Sequence, residues 1–230
     1  MARRGRKLTK KELKEDEFAE FVEEGILYAK HHARRIVGVL IVVIVVAIAV
    51  TFSIRQRQAA EAEAQGILTR GSFDFKQGNY AAALRSYSLL TERYRGTWSA
   101  ADAIFFAANT NYATARYDSA MVLFNQYLNQ GKRREELTVS AKNGIAQCLE
   151  ELGRYGDAAA NYLKTYQEHP DNVFAKDVLL GAARAYNLAG NINRAMEVYE
   201  DVMELYPDSR EAELAKTQLL ELQAKSERGS

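Results

Sequence analysis

The chain has 230 residues, of which 47% are hydrophobic and 27% are charged, and its formal net charge is only +1. A nucleic-acid-binding domain normally gathers positive charge on one face, and residues 55–230 show no such excess. A single cysteine excludes a disulfide framework within one chain. The two prolines and the abundance of Ala, Leu and Tyr favour an all-helical protein.

The first 35 residues form a basic segment with ten Lys or Arg and seven Asp or Glu. The stretch from Thr9 to Glu12 fits a capping box, and apolar residues follow at helical spacing. This pattern predicts a helix over residues 9–35 that lies on a lipid surface or docks on a protein, although a helix without any partner fits equally. The pair His31–His32 is more typical of a polar interface than of a metal site, because no further Cys or His is near in the sequence.

The next segment, residues 36–54, is a run of apolar residues without any charge. As a helix it would be about 28 Å long, close to the hydrocarbon thickness of a bilayer. A cleaved signal peptide is the main alternative, because "AIA" at Ala47–Ala49 resembles a cleavage site, but signal peptides are usually shorter. We therefore expect a single transmembrane helix.

The basic flank of this run predicts the topology. Positive residues stay in the cytoplasm, so residues 1–35 would be cytoplasmic and residues 55–230 would cross the membrane. In a bacterium, residues 55–230 would then lie on the periplasmic side of the inner membrane. The opposite topology, with cytosolic repeats as in organelle receptors, is the alternative.

The exported part contains an internal repeat at spacings of 37, 38 and 37 residues. Its four copies are "KQGNYAAALRSY", "ATARYDSAMVLF", "ELGRYGDAAANY" and "LAGNINRAMEVY". Each copy has a small residue at a turn, an alanine five positions later and an aromatic four further on. The pattern predicts two helices joined by a tight turn, in which the alanine permits close approach and the aromatic fills the space between helices.

This repeat resembles the tetratricopeptide repeat over residues 64–209. The resemblance implies a right-handed superhelix of about four helical hairpins, at 64–97, 101–134, 139–172 and 176–209. A helical linker at 55–63 would precede them, and a capping helix at 210–225 would close the stack. Two departures are the longer spacing and the basic residues Arg95 and Lys132, which replace the terminal proline in the first two copies.

The resemblance also implies a concave groove, lined by the first helix of each copy, that binds a protein or peptide segment. Family positions two, five, nine and twelve select polar and aromatic side chains: Leu68, Ser72, Phe75, Asp102, Phe105, Asn109, Tyr112, Asn143, Gln147, Arg184 and Asn187, together with Gln65, Glu150 and Leu180. The aromatic residues Phe105 and Tyr112 could instead pack within the stack. The family's carboxylate clamp needs several basic residues here, and Arg184 is the only one.

Residue patterns for catalysis, metal binding or cofactor binding are absent from the sequence, so we expect no enzyme and no cofactor. Cys148 falls at a position that is usually buried, and a redox role for it is the alternative. His169 is expected to be solvated, and Glu150 and Glu151 are expected on a solvated face.

The order of basic tail, single span and exported repeats resembles the YfgM-type proteins, which are ancillary subunits of the Sec translocon that work beside periplasmic chaperones. The resemblance implies a scaffold that contacts the translocon, chaperones or exported chains. The repeats are also similar to those of BamD and YbgF proteins, which implies an alternative role as an adaptor in outer-membrane assembly or in cell division with the Tol-Pal system.

Overall fold

The structure is a computed structural model that describes residues 30–229. The capping box at Thr9–Glu12 and most of the helix expected over residues 9–35 lie outside the described residues. All regular secondary structure within residues 30–229 is helical. The helices are α1 (Ala33–Lys76), α2 (Tyr80–Arg93), α3 (Trp98–Ala113), α4 (Tyr117–Leu128), α5 (Glu135–Glu151), α6 (Tyr155–Glu168), α7 (Ala175–Leu188), α8 (Ile192–Leu205) and α9 (Arg210–Gly229).

The first part of α1 contains the apolar run. All its described side chains between Val37 and Ile54 are exposed, including Val39, Ile48 and Phe52. The most apolar window of this helix has a mean hydropathy of 3.1, and by length and composition α1 could cross a membrane. The run is therefore not a buried core helix among the described residues. The helix continues without interruption through residues 55–63.

The repeats form antiparallel helical hairpins that pack side by side. The C-terminal part of α1 pairs with α2. The pairs α3 with α4, α5 with α6 and α7 with α8 follow, and α9 packs on α8. The tight turns within the hairpins contain a residue with positive φ: Gly78 at 77°, Ala115 at 56°, Gly153 at 73° and Gly190 at 77°. The predicted all-helical repeat fold is confirmed for the residues that the structure describes.

The core of the repeats consists of the small and aromatic positions that the sequence pattern singles out. The repeated alanines have no exposed surface, and the repeated aromatics are at most 1% exposed: Ala83, Ala120, Ala158 and Ala195, then Tyr87, Phe124, Tyr162 and Tyr199. Burying one such large side chain contributes about 1.5–3 kcal/mol. The aromatics pack on glycines as well: a Cβ atom at Gly144 would lie 2.5 Å from the ring of Phe124.

Candidate partner-binding groove

Three of the predicted groove residues are buried: Leu68, Asp102 and Phe105. Phe105 is only 8% exposed, and its ring lies 5.9 Å from that of Phe124 and 5.6 Å from that of Tyr127. Leu68 packs in the core cluster that surrounds Tyr87. Both residues thus lie within the helix packing. α2 covers the side of α1 that contains Leu68, and α4 and α5 cover the side of α3 that contains Phe105. Their side chains are not open to a partner in this conformation.

Asp102 is also removed from the groove surface. Its Oδ2 atom accepts a hydrogen bond of 2.6 Å from Arg134 Nε, while its Oδ1 atom has no hydrogen-bond partner in the described part of the chain. Burial raises the pKa of the Asp102 carboxyl, and the ion pair with Arg134 opposes this shift. Asp102 therefore joins the start of α3 to the α4–α5 loop.

The remaining predicted groove residues are exposed or partly exposed: Ser72, Phe75, Asn109, Tyr112, Asn143, Gln147, Arg184 and Asn187. Two of them on the same helix have side-chain amides that form no hydrogen bond to another described residue. These are Asn143 and Gln147, which lie one helical turn apart on α5. By contrast, the side chain of Asn109 donates to the Phe105 carbonyl at 2.9 Å within its own helix. The partner-binding role of all eight residues stays a prediction.

Arg184 is paired rather than free. Its Nε and Nη2 atoms donate to the two oxygens of Glu150 at 2.7 and 2.9 Å, and the Tyr162 hydroxyl donates to the same carboxylate at 3.0 Å. The hydrogen bond to Glu150 raises the pKa of the Arg184 guanidinium, and burial together with the Glu150 charge raises the pKa of Tyr162. The charge of Arg184 is therefore compensated within the stack. The expectation that Glu150 lies on a solvated face is wrong.

Glu151 has a similar role between neighbouring hairpins. It accepts hydrogen bonds from the hydroxyls of Tyr112 at 3.3 Å and Tyr117 at 3.2 Å. Burial and the Glu151 charge raise the pKa of Tyr112 to about 12, so this hydroxyl stays a donor at neutral pH. Sequence analysis missed this link as well, because the partners come from different repeats.

The two residues considered for chemistry, Cys148 and His169, are buried or partly buried. Cys148 is completely buried, as predicted, and burial with nearby Asp118 and Glu151 raises its pKa to about 12. His169 is partly buried, with its Nε2 atom 3.0 Å from Lys142 Nζ, so the expectation of a solvated His169 is wrong. In the described part of the chain, no group of His, Cys, Asp and Glu side chains could hold a metal ion.

Comparisons with known proteins identify the fold. The tetratricopeptide repeat family model matches residues 149–219. No curated protein sequence matches the chain. Similar solved structures include the apo form of RapI, with 17% identity and a TM-score of 0.61 over 72% of this chain and 65% of that one.

Two further structures show the same likeness at 14% identity. The repeats of a putative kinesin light chain from Podosopora anserina align with a TM-score of 0.59 over 74% of this chain and 90% of that one. A tetratricopeptide repeat protein from Parabacteroides merdae aligns with a TM-score of 0.58 over 70% of this chain. This chain spans 60% of the length of the Parabacteroides protein. The chain is therefore a repeat protein with the tetratricopeptide fold.

Proposed function

We propose that this protein is a non-catalytic scaffold, anchored in a bacterial inner membrane by residues 36–54, whose repeats bind proteins or peptides on the periplasmic side. Tetratricopeptide repeats are protein-interaction modules, which supports the scaffold. The exposed apolar run in α1 supports the anchor, and the excess of basic residues in the first 35 positions supports a cytoplasmic N-terminus.

The observation that carries the binding proposal is the pair of unengaged amides on α5. Asn143 and Gln147 can each donate to and accept from the backbone of an extended segment. The partly exposed groove aromatics Phe75 and Tyr112 would add apolar contact, a combination that suits peptide recognition. Since Glu150 already compensates Arg184, we expect no preference for an acidic C-terminal motif.

The proposed partners are the Sec translocon, a periplasmic chaperone or newly exported chains. These partners are proposed because the order of basic tail, apolar span and repeats resembles that of YfgM-type proteins. An adaptor in envelope assembly or division is the second candidate, because the repeats are similar to those of BamD and YbgF proteins.

Site-specific photo-crosslinking in intact cells tests the groove. Probes replace Asn109, Asn143 and Gln147, and a control probe replaces the exposed Arg85 on α2. Phe105 is unsuitable because it is buried, and a probe at Arg184 would break its ion pair. We expect adducts specific to the groove probes. Adducts to translocon, chaperone or exported chains support the first candidate, and adducts to outer-membrane or division machinery support the second.

Adducts that do not differ from those of the Arg85 control contradict groove binding. The topology has a separate test, in which a reporter enzyme is fused after Ser230. Activity of a reporter that works only in the periplasm is expected, and activity of one that works only in the cytoplasm would reverse the proposed orientation.

A further inference from the structure

The first two loops between repeats are basic, while the last two are acidic. The α2–α3 loop (94–97) and the α4–α5 loop (129–134) contain Arg95, Lys132, Arg133 and Arg134 and no acidic residue. The α6–α7 loop (169–174) and the α8–α9 loop (206–209) contain Asp171 and Asp208 and no Lys or Arg. The positive charge is therefore concentrated beside the first two repeats. We refer to Arg95, Trp98, Lys132 and Arg133 as the basic edge.

The cations of the basic edge interact with backbone carbonyls instead of carboxylates. Arg95 donates to the Thr91 carbonyl near the end of α2 at 3.2 Å. Arg133 donates to the carbonyl of Leu128, the last residue of α4, at 3.2 Å and to that of Gln130 in the following loop at 3.1 Å. Lys132 donates to the Gly96 carbonyl. Among the described residues none of the three is in an ion pair, whereas Arg134 pairs with Asp102. The three positive charges are thus held in place without an ion pair, although Lys132 lies close enough to Glu61 for its charge to help lower the pKa of that carboxyl.

Trp98 lies beside these cations and is 42% exposed. Its ring centroid is 5.7 Å from Lys132 Nζ and 5.9 Å from Arg134 Cζ. The two basic loops border an open cavity of about 640 Å³, whose charged lining residues are Arg95, Lys132 and Glu92 and whose apolar ones include Ile104. This volume lies in the range of sites for small molecules or headgroups.

Few residues separate the apolar run from the part of α1 that contacts Trp98. Glu61 on α1 accepts hydrogen bonds from the backbone N–H groups of Trp98 at 2.7 Å and Ser99 at 2.9 Å. Ile54, the last residue of the apolar run, precedes Glu61 by seven positions. Seven residues span at most about 25 Å even when fully extended. If residues 36–54 cross a bilayer, the length of this connection therefore limits Glu61 to at most about 25 Å from the end of the apolar run.

We propose that the basic edge docks on anionic phospholipid headgroups of the membrane that holds residues 36–54; this inference rests on the anchor in the proposed function. Lysine and arginine near a membrane surface attract anionic lipids, and tryptophan prefers the interface between headgroups and hydrocarbon. Docking would fix the first two repeats at the membrane and leave the acidic third and fourth inter-repeat loops in solution.

Trp98 is the only tryptophan of the chain, so its fluorescence reports on the basic edge without labelling. The full chain is reconstituted into nanodiscs of phosphatidylcholine, with or without phosphatidylglycerol. With phosphatidylglycerol we expect a blue shift of Trp98 emission and protection from quenching by acrylamide, both reversed by salt. Each basic side chain contributes about fivefold to docking, so Lys132→Gln with Arg133→Gln should lower the docked-to-undocked ratio about 25-fold.

The matched control is Arg116→Gln with Arg154→Gln, which removes the same charge from turns within the hairpins. The control pair should respond to phosphatidylglycerol as the wild type does. Identical behaviour in the two lipid mixtures, or an unchanged response in the Lys132 and Arg133 variant, overturns the inference.

Soluble additives distinguish a membrane surface from other acidic ligands. Glycerol phosphate or an acidic peptide, added to phosphatidylcholine nanodiscs, should not protect Trp98. Equal protection by either additive would mean that the basic edge binds a free anion or an acidic protein segment and not a lipid surface, which overturns the inference. A chain that does not insert into nanodiscs contradicts the anchor and this inference together, whereas an inserted chain without a lipid response contradicts this inference alone.

Discussion

The turn of the second repeat should be stabilised by replacing Ala115 with glycine. Ala115 has a φ of 56°, while the three equivalent turns contain glycines with φ between 73° and 77°. A left-handed conformation costs an L-residue about 1–2 kcal/mol, and the greater freedom of glycine in the unfolded chain costs about 0.5–1 kcal/mol. Ala115 is exposed, so no packing is lost. We expect Ala115→Gly to raise the free energy of unfolding by about 0.5–1 kcal/mol.

Urea unfolding of the full chain in detergent micelles, followed by Trp98 fluorescence, measures this change. Trp98 begins α3, the helix that ends two residues before Ala115, and repeat proteins are stabilised mainly by neighbouring units. The Trp98 fluorescence therefore reports on the two repeats that the substitution affects. The expected gain in free energy corresponds to roughly a two- to fivefold smaller unfolding constant.

Two control variants separate backbone strain from a general effect of glycine or alanine. Ala113→Gly, at the last residue of α3, should lower the free energy of unfolding by up to about 1 kcal/mol, because this residue is helical. Gly153→Ala should also lower it by about 0.5–1 kcal/mol, the reverse of the same balance, since the added Cβ atom has no neighbour within 4 Å and steric contact adds nothing. If Ala115→Gly destabilises the protein as Ala113→Gly does, the strain argument is refuted.

Three other predictions concern packing, pH and reactivity. Gly144→Ala should lower the free energy of unfolding by about 1–3 kcal/mol in the same urea assay, because its Cβ atom would meet the Phe124 ring at 2.5 Å. Burial raises the pKa of Asp102, so the folded state binds its proton more tightly, and the contribution of this carboxyl to stability falls as the pH rises above about 4. Relative to the wild type, Asp102→Asn should therefore gain stability as the pH rises above about 4, measured by urea unfolding across pH. Cys148, whose pKa is raised to about 12, should resist alkylation at about pH 8 in the folded chain and react in urea, as mass spectrometry would show.

Each of these predictions has a result that contradicts it. Gly156→Ala is the control for packing, because its Cβ atom would enter open space, and equal losses at Gly156 and Gly144 would refute the steric argument. A pH-independent difference between Asp102→Asn and the wild type would mean that Asp102 titrates normally. Rapid alkylation of native Cys148, with Cys148→Ser as the unlabelled control, would show that the thiol is accessible.

The repeat architecture is largely predictable from the sequence because it follows from local patterns. Turn residues recur every 37 or 38 positions, and each copy places alanine and an aromatic at fixed offsets on a helix. These offsets correctly predict the buried positions Ala83 and Tyr87 and their equivalents. The positive φ at the turns follows equally from the sequence, including the position where Ala115 replaces glycine.

Groove residues are harder to predict because family positions do not specify how neighbouring helices cover them. Phe105 occupies a groove position of the family, yet Phe124 and Tyr127 of the next helix enclose it. Gly144 recurs at the repeat spacing as Gly181, but its close contact with Phe124 appears only when α4 and α5 pack together. Burial at these positions depends on the distance between helices, which sequence spacing does not contain.

The sequence by itself determined the helical repeats, the long apolar run and the basic loops, because these depend on residue order along one segment. Only the tertiary structure decided which polar groups are already paired. Glu150 meets Arg184 across 34 positions and Glu151 meets Tyr112 across 39, so each pair joins adjacent repeats. Two adjacent glutamates therefore look solvated in the sequence, and it is the register between stacked hairpins that gives each of them a partner.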